Sequence, residues 1–97
     1  MTAYIISRVS ISDSDAMTGY MADAPESVYA YGGKYLVRTG DIEVLEGEAP
    51  YERVVVVEFP NKEKALAWYN SEDYRELRDV RWRSADAHII CVPGEAG

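Results

Sequence analysis

The segment YGGKYLVR at residues 31–38 combines the signals for the end of a helix and the start of a strand. Gly32 is the residue type that most readily adopts the left-handed conformation that follows the last turn of a helix. Residues 34–39 predict the second strand of the fold, and residues 40–41 predict a turn or bulge. We expect residues 42–45 to continue the strand pair beyond this turn. The junction therefore indicates a helix before it and a sheet after it.

Strand-like and helix-like stretches alternate along the rest of the chain. Strands are predicted where branched and aromatic residues dominate, and helices where apolar residues recur every three or four positions. The four valines at 54–57 are typical of a strand that is buried on both faces. Pro25 interrupts the first helical pattern, so we expect a broken or kinked helix there. In order, the expected elements are a strand at 3–11, a helix that starts among 12–15 and reaches 31, strands at 34–39 and 53–59, a helix capped by Asn61, a helical piece at 72–81 capped by Ser71, and a strand at 87–92.

The order of these elements, β-α-β-β-α-β, predicts an α+β fold of the ferredoxin-like kind. Two right-handed crossovers place the helices on one face of an antiparallel sheet, with the first and third strands in its middle. The valine run indicates that the other face is buried as well. In a chain of 97 residues the simplest cover is the sheet of a second copy, so we predict a symmetric homodimer that joins through its sheet faces.

Composition narrows the class of protein and of partner. The length predicts a single domain over residues 1–97. The net charge of −7 argues against nucleic acid and anionic membranes, because phosphate contacts need clustered lysine and arginine. No stretch approaches the roughly 18 apolar residues of a spanning helix, and the N-terminus does not resemble a signal peptide. The single cysteine, Cys91, suits a reducing compartment, so we expect a cytoplasmic protein without nucleic-acid or membrane partners.

Four motifs occur here in the order in which they occur in a known family. They are YGGKYLVR at 31–38, LEG at 45–47, the valine strand that ends in EFP at 58–60, and AWYNSEDY at 67–74. With them, nearly the whole chain resembles the bacterial domain-of-unknown-function family thirteen-thirty, within the dimeric α/β-barrel superfamily. The resemblance implies a ferredoxin-like subunit whose sheet pairs with a partner's to form a barrel. The wider superfamily includes monooxygenases that need no metal or flavin, lactone isomerases, dehydratases and heme-degrading enzymes, so the resemblance implies a pocket rather than one reaction.

Arg38 is the first candidate for function. Its planar guanidinium could hold a ligand carboxylate or an enolate-like oxygen, or it could form a structural ion pair with Glu46. Strand alternation places Arg38 on the same face as Lys34 and Leu36, opposite Tyr35. The pattern leaves open which of these faces borders a cavity.

Glu46 and His88 are the candidates for moving protons. Burial could raise the pKa of Glu46 enough for a general base; alternatively this carboxylate is solvated, or pairs with Arg38 or Arg53. His88, the only histidine, could act as a base inside the barrel, or could lie on the surface or at the edge of the dimer. The chain has too few nitrogen and sulfur ligands for a metal site, so we expect neither a metal nor another cofactor.

The other ligand-binding candidates lie at two junctions. Tyr31 and Gly33 flank the end of the first helix, and Trp68, Ser71 and Tyr74 surround the break between the later helical pieces. Trp68 could line a cleft between helix and sheet, where the hydroxyls of Ser71 and Tyr74 could reach an organic ligand. Alternatively, the aromatic residues fill the core and Ser71 only caps a helix.

Four arginines follow this break, at positions 75, 78, 81 and 83. They interleave with acidic residues at spacings of three and four, which predicts a solvent-exposed, salt-bridged helix face.

These observations predict a small homodimer that binds an organic carboxylate or carbonyl compound between sheet and helices. Any catalysis would be cofactor-free, as in a monooxygenase or an isomerase. The alternative is a non-catalytic ligand-binding or structural dimer.

Overall fold

The predicted α+β, ferredoxin-like fold is confirmed by the computed structural model, which describes residues 1–48 and 52–95. Within these residues no helix is both long enough and apolar enough to cross a membrane. The elements are β1 (Ala3–Ile11), α1 (Ser14–Ala30), β2 (Lys34–Thr39), β3 (Arg53–Phe59), α2 (Lys62–Tyr69), α3 (Glu72–Ser84) and β4 (Ala85–Pro93).

The four strands form an antiparallel sheet in the order β2-β3-β1-β4. The first and third strands therefore occupy its middle, as predicted. Along β1, Ala3, Ile5, Ser7 and Val9 are buried beneath the helices, whereas the residues between them face the other way. The sheet thus has one face covered by helices and one open face.

The main core lies between the covered face and the helices and is centred on three aromatic side chains. Phe59 and Tyr74 are both 0% exposed. The ring centroid of Trp68 lies 4.2 Å from that of Tyr74 and 5.6 Å from that of Phe59. Such pairs contribute about 0.5–1.5 kcal/mol each beyond the burial of their surface. This packing holds α2 and the start of α3 on the sheet.

An apolar row crosses all four strands on the open face. Val37, Val56, Ile6 and Ile90 lie side by side in this row, in that order. Val37 and Ile90 are 39% and 54% exposed in the single chain, and the two central residues are half-buried. The valine run of β3 therefore supplies side chains to both faces of the sheet.

Side chains cap the first two helices. The carboxylate of Asp13 accepts the amide of Ala16 at 3.1 Å. The side-chain oxygen of Asn61 accepts the amide of Lys64 at 2.8 Å, which confirms the predicted cap of α2. Each cap satisfies one of the amide groups that a helix start leaves without a partner.

Pro25 lies inside α1, which runs unbroken from Ser14 to Ala30, so the expected break is absent. Proline removes one backbone hydrogen bond from a helix. Burial of Ala24, Ser27 and Val28 holds the turns on both sides of it against the rest of the fold. The hydroxyl of Ser27 also donates to the carbonyl of Ala24 at 2.7 Å.

Residues 41–48 contain no strand, so the predicted extension of β2 is wrong. The register pairs Thr39 with Val54, close to the start of β3. Glu52 directly precedes the first residue of β3, and its amide donates to the carbonyl of Val9 in β1 instead of to β2. Residues beyond Thr39 therefore have no paired strand beside them, and Leu45 is 87% exposed.

Gly32 and Gly33 end α1 and join it to β2. Gly32 has φ 81° and so supplies the predicted left-handed residue after the helix. The amide of Gly33 bonds the carbonyl of Val28 at 3.0 Å. A Cβ at Gly33 would lie 2.5 Å from Cγ1 of Val28 and 2.9 Å from Cε1 of Phe59. This position therefore has no room for a side chain.

Gly33→Ala should lower the free energy of unfolding by about 1–3 kcal/mol, because the new methyl group overlaps buried side chains. Chemical denaturation measures the change. Gly19→Ala is the matched control, since Gly19 lies within α1 and a Cβ there meets nothing within 4 Å. The control should be stabilised by up to about 1 kcal/mol. An unchanged midpoint for Gly33→Ala would contradict the close packing at this junction.

Candidate functional site

A pocket of about 70 Å³, here called the central pocket, lies between the covered face of the sheet and the helices. It reaches the surface beside Arg38 and Met21, which are both exposed. Its apolar walls include Ile5, Val9, Met17, Val28, Val57 and Trp68. Its polar lining consists of Ser7, Tyr20, Tyr35, Arg38, Arg53, Tyr74 and Arg81.

A β-bulge in β2 determines which side chains reach the central pocket. Tyr35 pairs with Val57 and Arg38 with Val55, so a register shift between Tyr35 and Val37 accommodates Leu36 as an extra residue. After the bulge, each side chain of β2 therefore lies on the face opposite to the one it would have in a regular strand. Arg38 therefore joins Tyr35 on the covered face, instead of sharing the face of Lys34 as alternation predicted.

Arg38 and Tyr35 contact each other at the mouth of the central pocket. The guanidinium carbon of Arg38 lies 4.3 Å from the centroid of the Tyr35 ring, which is a cation–π arrangement. Burial raises the pKa of Tyr35, and the positive charge of Arg38 opposes part of that rise. The ring thus positions a cation that remains exposed to solvent and to an entering ligand.

The hydroxyls of Tyr20 and Tyr74 form a hydrogen-bonded pair inside the pocket, with their oxygens 2.5 Å apart. Burial raises the pKa of Tyr20 well above its ordinary value of 10.0. The neighbouring Tyr74 raises it further, whereas Arg81 lowers it. One proton lies between the two oxygens, so the hydroxyl that accepts it retains its own proton for a ligand.

Trp68 forms a fixed wall of the pocket. It is 4% exposed, and its Nε1 donates to the hydroxyl of Ser27 at 3.1 Å. That hydroxyl donates in turn to the carbonyl of Ala24. The polar edge of the indole is therefore satisfied within the protein, and the ring can offer a ligand only its apolar surface.

Arg81 is buried at 3% exposure and lines the pocket, although the charge pattern predicted a solvent-exposed face for this helix. Tyr74, Leu77, Arg81 and Ser84 recur at helical spacing on the inward side of α3, and this periodicity outweighs the charge pattern. The Nε atoms of Arg81 and Arg78 have no hydrogen-bond partner among residues 1–48 and 52–95, and of these two arginines only Arg81 lines the pocket. Arg81 is thus a buried cation whose Nε–H is free for a ligand.

Arg78 also departs from the predicted salt-bridged face. It is half-buried, and its guanidinium carbon lies 4.8 Å from the ring centroid of Trp82 and 5.2 Å from that of Tyr69. Arg78 therefore packs on aromatic rings outside the pocket.

Three of the sequence-predicted residues have structural contacts and do not line the pocket. Ser71 caps α3: its hydroxyl accepts the amide of Tyr74 at 3.2 Å and donates to the carbonyl of Trp68 at 2.7 Å. Tyr31 is the half-buried residue that ends α1, and Gly33 lies in the tight junction described above. Trp68 and Tyr74 do line the pocket, as does Arg38.

Glu46 and His88 lie outside the central pocket. Glu46 is exposed between β2 and β3, and among the described residues it forms no ion pair with Arg38. His88 is on the open face of β4, opposite Arg8 of β1 in the register. The pocket thus brings Arg38, Trp68 and Tyr74 together and leaves both predicted bases apart.

The central pocket has the electrostatic character of an anion site. Three arginines line it, and the described part of its lining contains no carboxylate. In a chain of net charge −7 this is a local excess of positive charge. Within the described ranges, no group of three or more His, Cys, Asp or Glu side chains could hold a metal ion.

Comparison with known proteins identifies the family and the fold. The family model described as "Domain of unknown function (DUF1330)" matches residues 2–95. The structure is similar to a protein of unknown function from Rhodopseudomonas palustris (TM-score 0.81, 16% identity, 99% of this chain and 84% of that chain). It is also similar to a dimeric ferredoxin-like protein of unknown function from Jannaschia sp. CCS1 (TM-score 0.81, 10% identity, 97% and 100% covered). A third similar structure is SnoaB, a cofactor-independent oxygenase from Streptomyces nogalater (TM-score 0.67, 6% identity, 99% and 95% covered).

At these identities the solved structures show a shared fold and nothing further. A search of curated proteins finds no significant match.

The stability of the protein should fall above pH 10, in part because of Tyr20. Its folded-state pKa lies above the unfolded value of 10.0, so the folded chain holds this proton more tightly. The contribution of this proton to the free energy of unfolding is fully present below pH 10.0, the pKa of Tyr20 in the unfolded chain. It decreases as the pH rises from there towards the higher pKa of Tyr20 in the folded chain.

Denaturation of the wild type and of Tyr20→Phe from about pH 8 to pH 11 tests this linkage. For each protein, the loss of stability is the change of its denaturation midpoint between neutral pH and a pH above 10. This loss should be smaller for Tyr20→Phe than for the wild type. Equal losses would contradict a buried, protonated Tyr20.

Proposed function

Because this chain belongs to the family described as Domain of unknown function (DUF1330), whose description names no reaction, we propose its function from the central pocket and the open sheet face. The protein is a homodimer joined through its sheet faces. Each copy binds a small organic carboxylate or carbonyl compound between sheet and helices. The observation that carries this proposal is a largely apolar pocket lined by three arginines and by no described carboxylate.

The apolar row on the open face supports the homodimer. Four adjacent strands each contribute one apolar side chain to it, and polar residues such as Lys34 and Thr39 flank the row on β2. A contiguous apolar surface with a polar rim is typical of an interface. A similar structure is described as dimeric. Stacking the apolar row of one copy on the apolar row of the other would bury both rows in a symmetric dimer.

Arginine at the pocket supports an oxygen-bearing, anionic ligand. The guanidinium group presents donors in a planar fork that matches a carboxylate or an enolate. Arg38 lies at the mouth, where it meets an entering ligand, and apolar walls accept the carbon skeleton. The site thus combines a charged anchor with an apolar lining, as small-molecule pockets do.

The Tyr20–Tyr74 pair supports cofactor-free proton transfer or oxygenation. It offers a hydroxyl proton to a ligand oxygen and lies in the pocket, whereas Glu46 and His88 lie outside it. A cofactor-independent oxygenase shares the fold. The second candidate function is binding without turnover. One observation supports it: the described lining contains no carboxylate or imidazole that could act as a base.

Val56→Lys should convert the dimer into a monomer, because it places a charge in the middle of the apolar row. Sedimentation equilibrium measures the mass. Leu66→Lys is the matched control, since Leu66 is 40% exposed on α2, away from the sheet face. A dimer that survives Val56→Lys would show that the open face is not the interface.

Arg38→Ala should weaken binding of small carboxylates about fivefold to tenfold and shift the melting temperature by only a few degrees, because Arg38 is exposed. NMR titration of the purified protein with small carboxylates, aldehydes, ketones and lactones provides the affinities. Lys34→Ala is the control, since Lys34 lies on the same strand but on the open face.

The same panel separates an enzyme from a binder. Turnover of any member by the purified protein supports catalysis, and binding without turnover supports the second candidate. No binding of any member would contradict the proposed function.

A further inference from the structure

We propose that Arg81, at the buried end of the central pocket, is the residue that anchors the ligand, and that the ligand is a short monocarboxylate of about two to four carbons. This inference rests on the proposed function and specifies its substrate class. It makes the negative charge of the ligand obligatory, and it moves the main anchor from the exposed Arg38 to the buried Arg81.

Arg81 is a buried charge whose Nε–H has no acceptor among the described residues. A guanidinium stays charged at all pH values at which proteins fold. A buried charge is costly unless it is paired and hydrogen-bonded. Arg81 is 3% exposed, its Nε has no partner among the described residues, and the described lining around it contains no carboxylate. A ligand carboxylate supplies the missing partner and charge together.

The three arginines of the pocket differ in their exposure to solvent. Arg38 is exposed and already lies over the ring of Tyr35, and Arg53 is partly exposed. Charge interactions strengthen as water is removed. The buried Arg81 therefore gives the strongest interaction, and the two outer arginines attract the anion towards the opening.

The size and the chemistry of the pocket suit a short carboxylate. Its volume of about 70 Å³ is less than half of the roughly 150 Å³ of a cavity that holds benzene. A carboxylate with one to three further carbons fits this space. The apolar side chains of Val9 and Met17 line it, so a short carbon chain gains burial that an inorganic anion cannot gain. The Tyr20–Tyr74 pair lies in the same lining and offers its remaining proton to a ligand oxygen.

The direct test is an NMR titration of the wild-type protein with sodium propionate. Propionate should bind saturably and shift the ¹⁵N–¹H signal of the Arg81 Nε–H, because that group gains an acceptor. Propionamide, of the same shape but uncharged, should bind at least tenfold more weakly, and so should inorganic phosphate. Equal binding of propionamide or phosphate would overturn the assignment of a carboxylate.

Two variants test Arg81 itself. Arg81→Met keeps the approximate volume and removes the charge, so it should reduce propionate affinity at least tenfold, more than Arg38→Ala does. Its melting temperature should equal or exceed that of the wild type, because the variant removes a buried charge and a buried Nε–H that has no acceptor. Arg81→Lys keeps the charge and loses the fork, so its affinity should be intermediate. Arg83→Met, exposed in the last turn of the same helix, should leave the affinity unchanged.

The outcomes separate this inference from the proposed function. Propionate binding that survives in Arg81→Met overturns the anchor and leaves the proposed pocket intact. A wild type that binds larger or uncharged carbonyl compounds, but not propionate, overturns the short carboxylate and leaves the proposed function intact. If Arg81→Met does not fold, two other measurements test the anchor. They are the shift of the wild-type Arg81 Nε–H signal on addition of propionate and the propionate affinity of Arg81→Lys.

Discussion

The packing of Tyr74 between Trp68, Tyr20 and the sheet is the constraint on which the rest of the structure depends. Tyr74 is completely buried, its ring lies 4.2 Å from that of Trp68, and its hydroxyl bonds Tyr20 of α1. One side chain of α3 therefore fixes the positions of α2 and α1. Tyr74, Tyr20 and Trp68 also line the central pocket. Fold and site thus depend on one residue, because the wall of the pocket is also the centre of the core.

Several features of the fold follow from short-range chemistry and could be predicted. Asn61 and Ser71 cap helices, and Gly32 has the left-handed conformation that a helix end requires. The strand order follows from the handedness of two crossovers. Pro25 does not break α1, because tertiary burial of its neighbours outweighs the local penalty. Local signals therefore defined the elements, and packing decided whether a weak point interrupts them.

The site was harder to predict than the fold. An arginine in a strand marks Arg38 as a candidate, but the face on which it lies depends on a bulge at Leu36 that no sequence pattern marks. The acidic residues around Arg81 in the sequence predict a salt-bridged surface. Its spacing of seven from Tyr74 was the signal that placed it inside. Glu46 and His88 have the chemistry of bases, but chemistry alone does not place a residue near a pocket.

In the proposal above, a short carboxylate completes the buried site at Arg81. A buried Nε–H without an acceptor costs free energy, and a ligand carboxylate at Arg81 would supply that acceptor. A crystal structure of the protein grown with sodium propionate tests this most directly. We expect electron density for a carboxylate against the guanidinium of Arg81, with its carbon chain between Val9 and Met17. A pocket without propionate, or an Arg81 paired with a protein carboxylate, would contradict it.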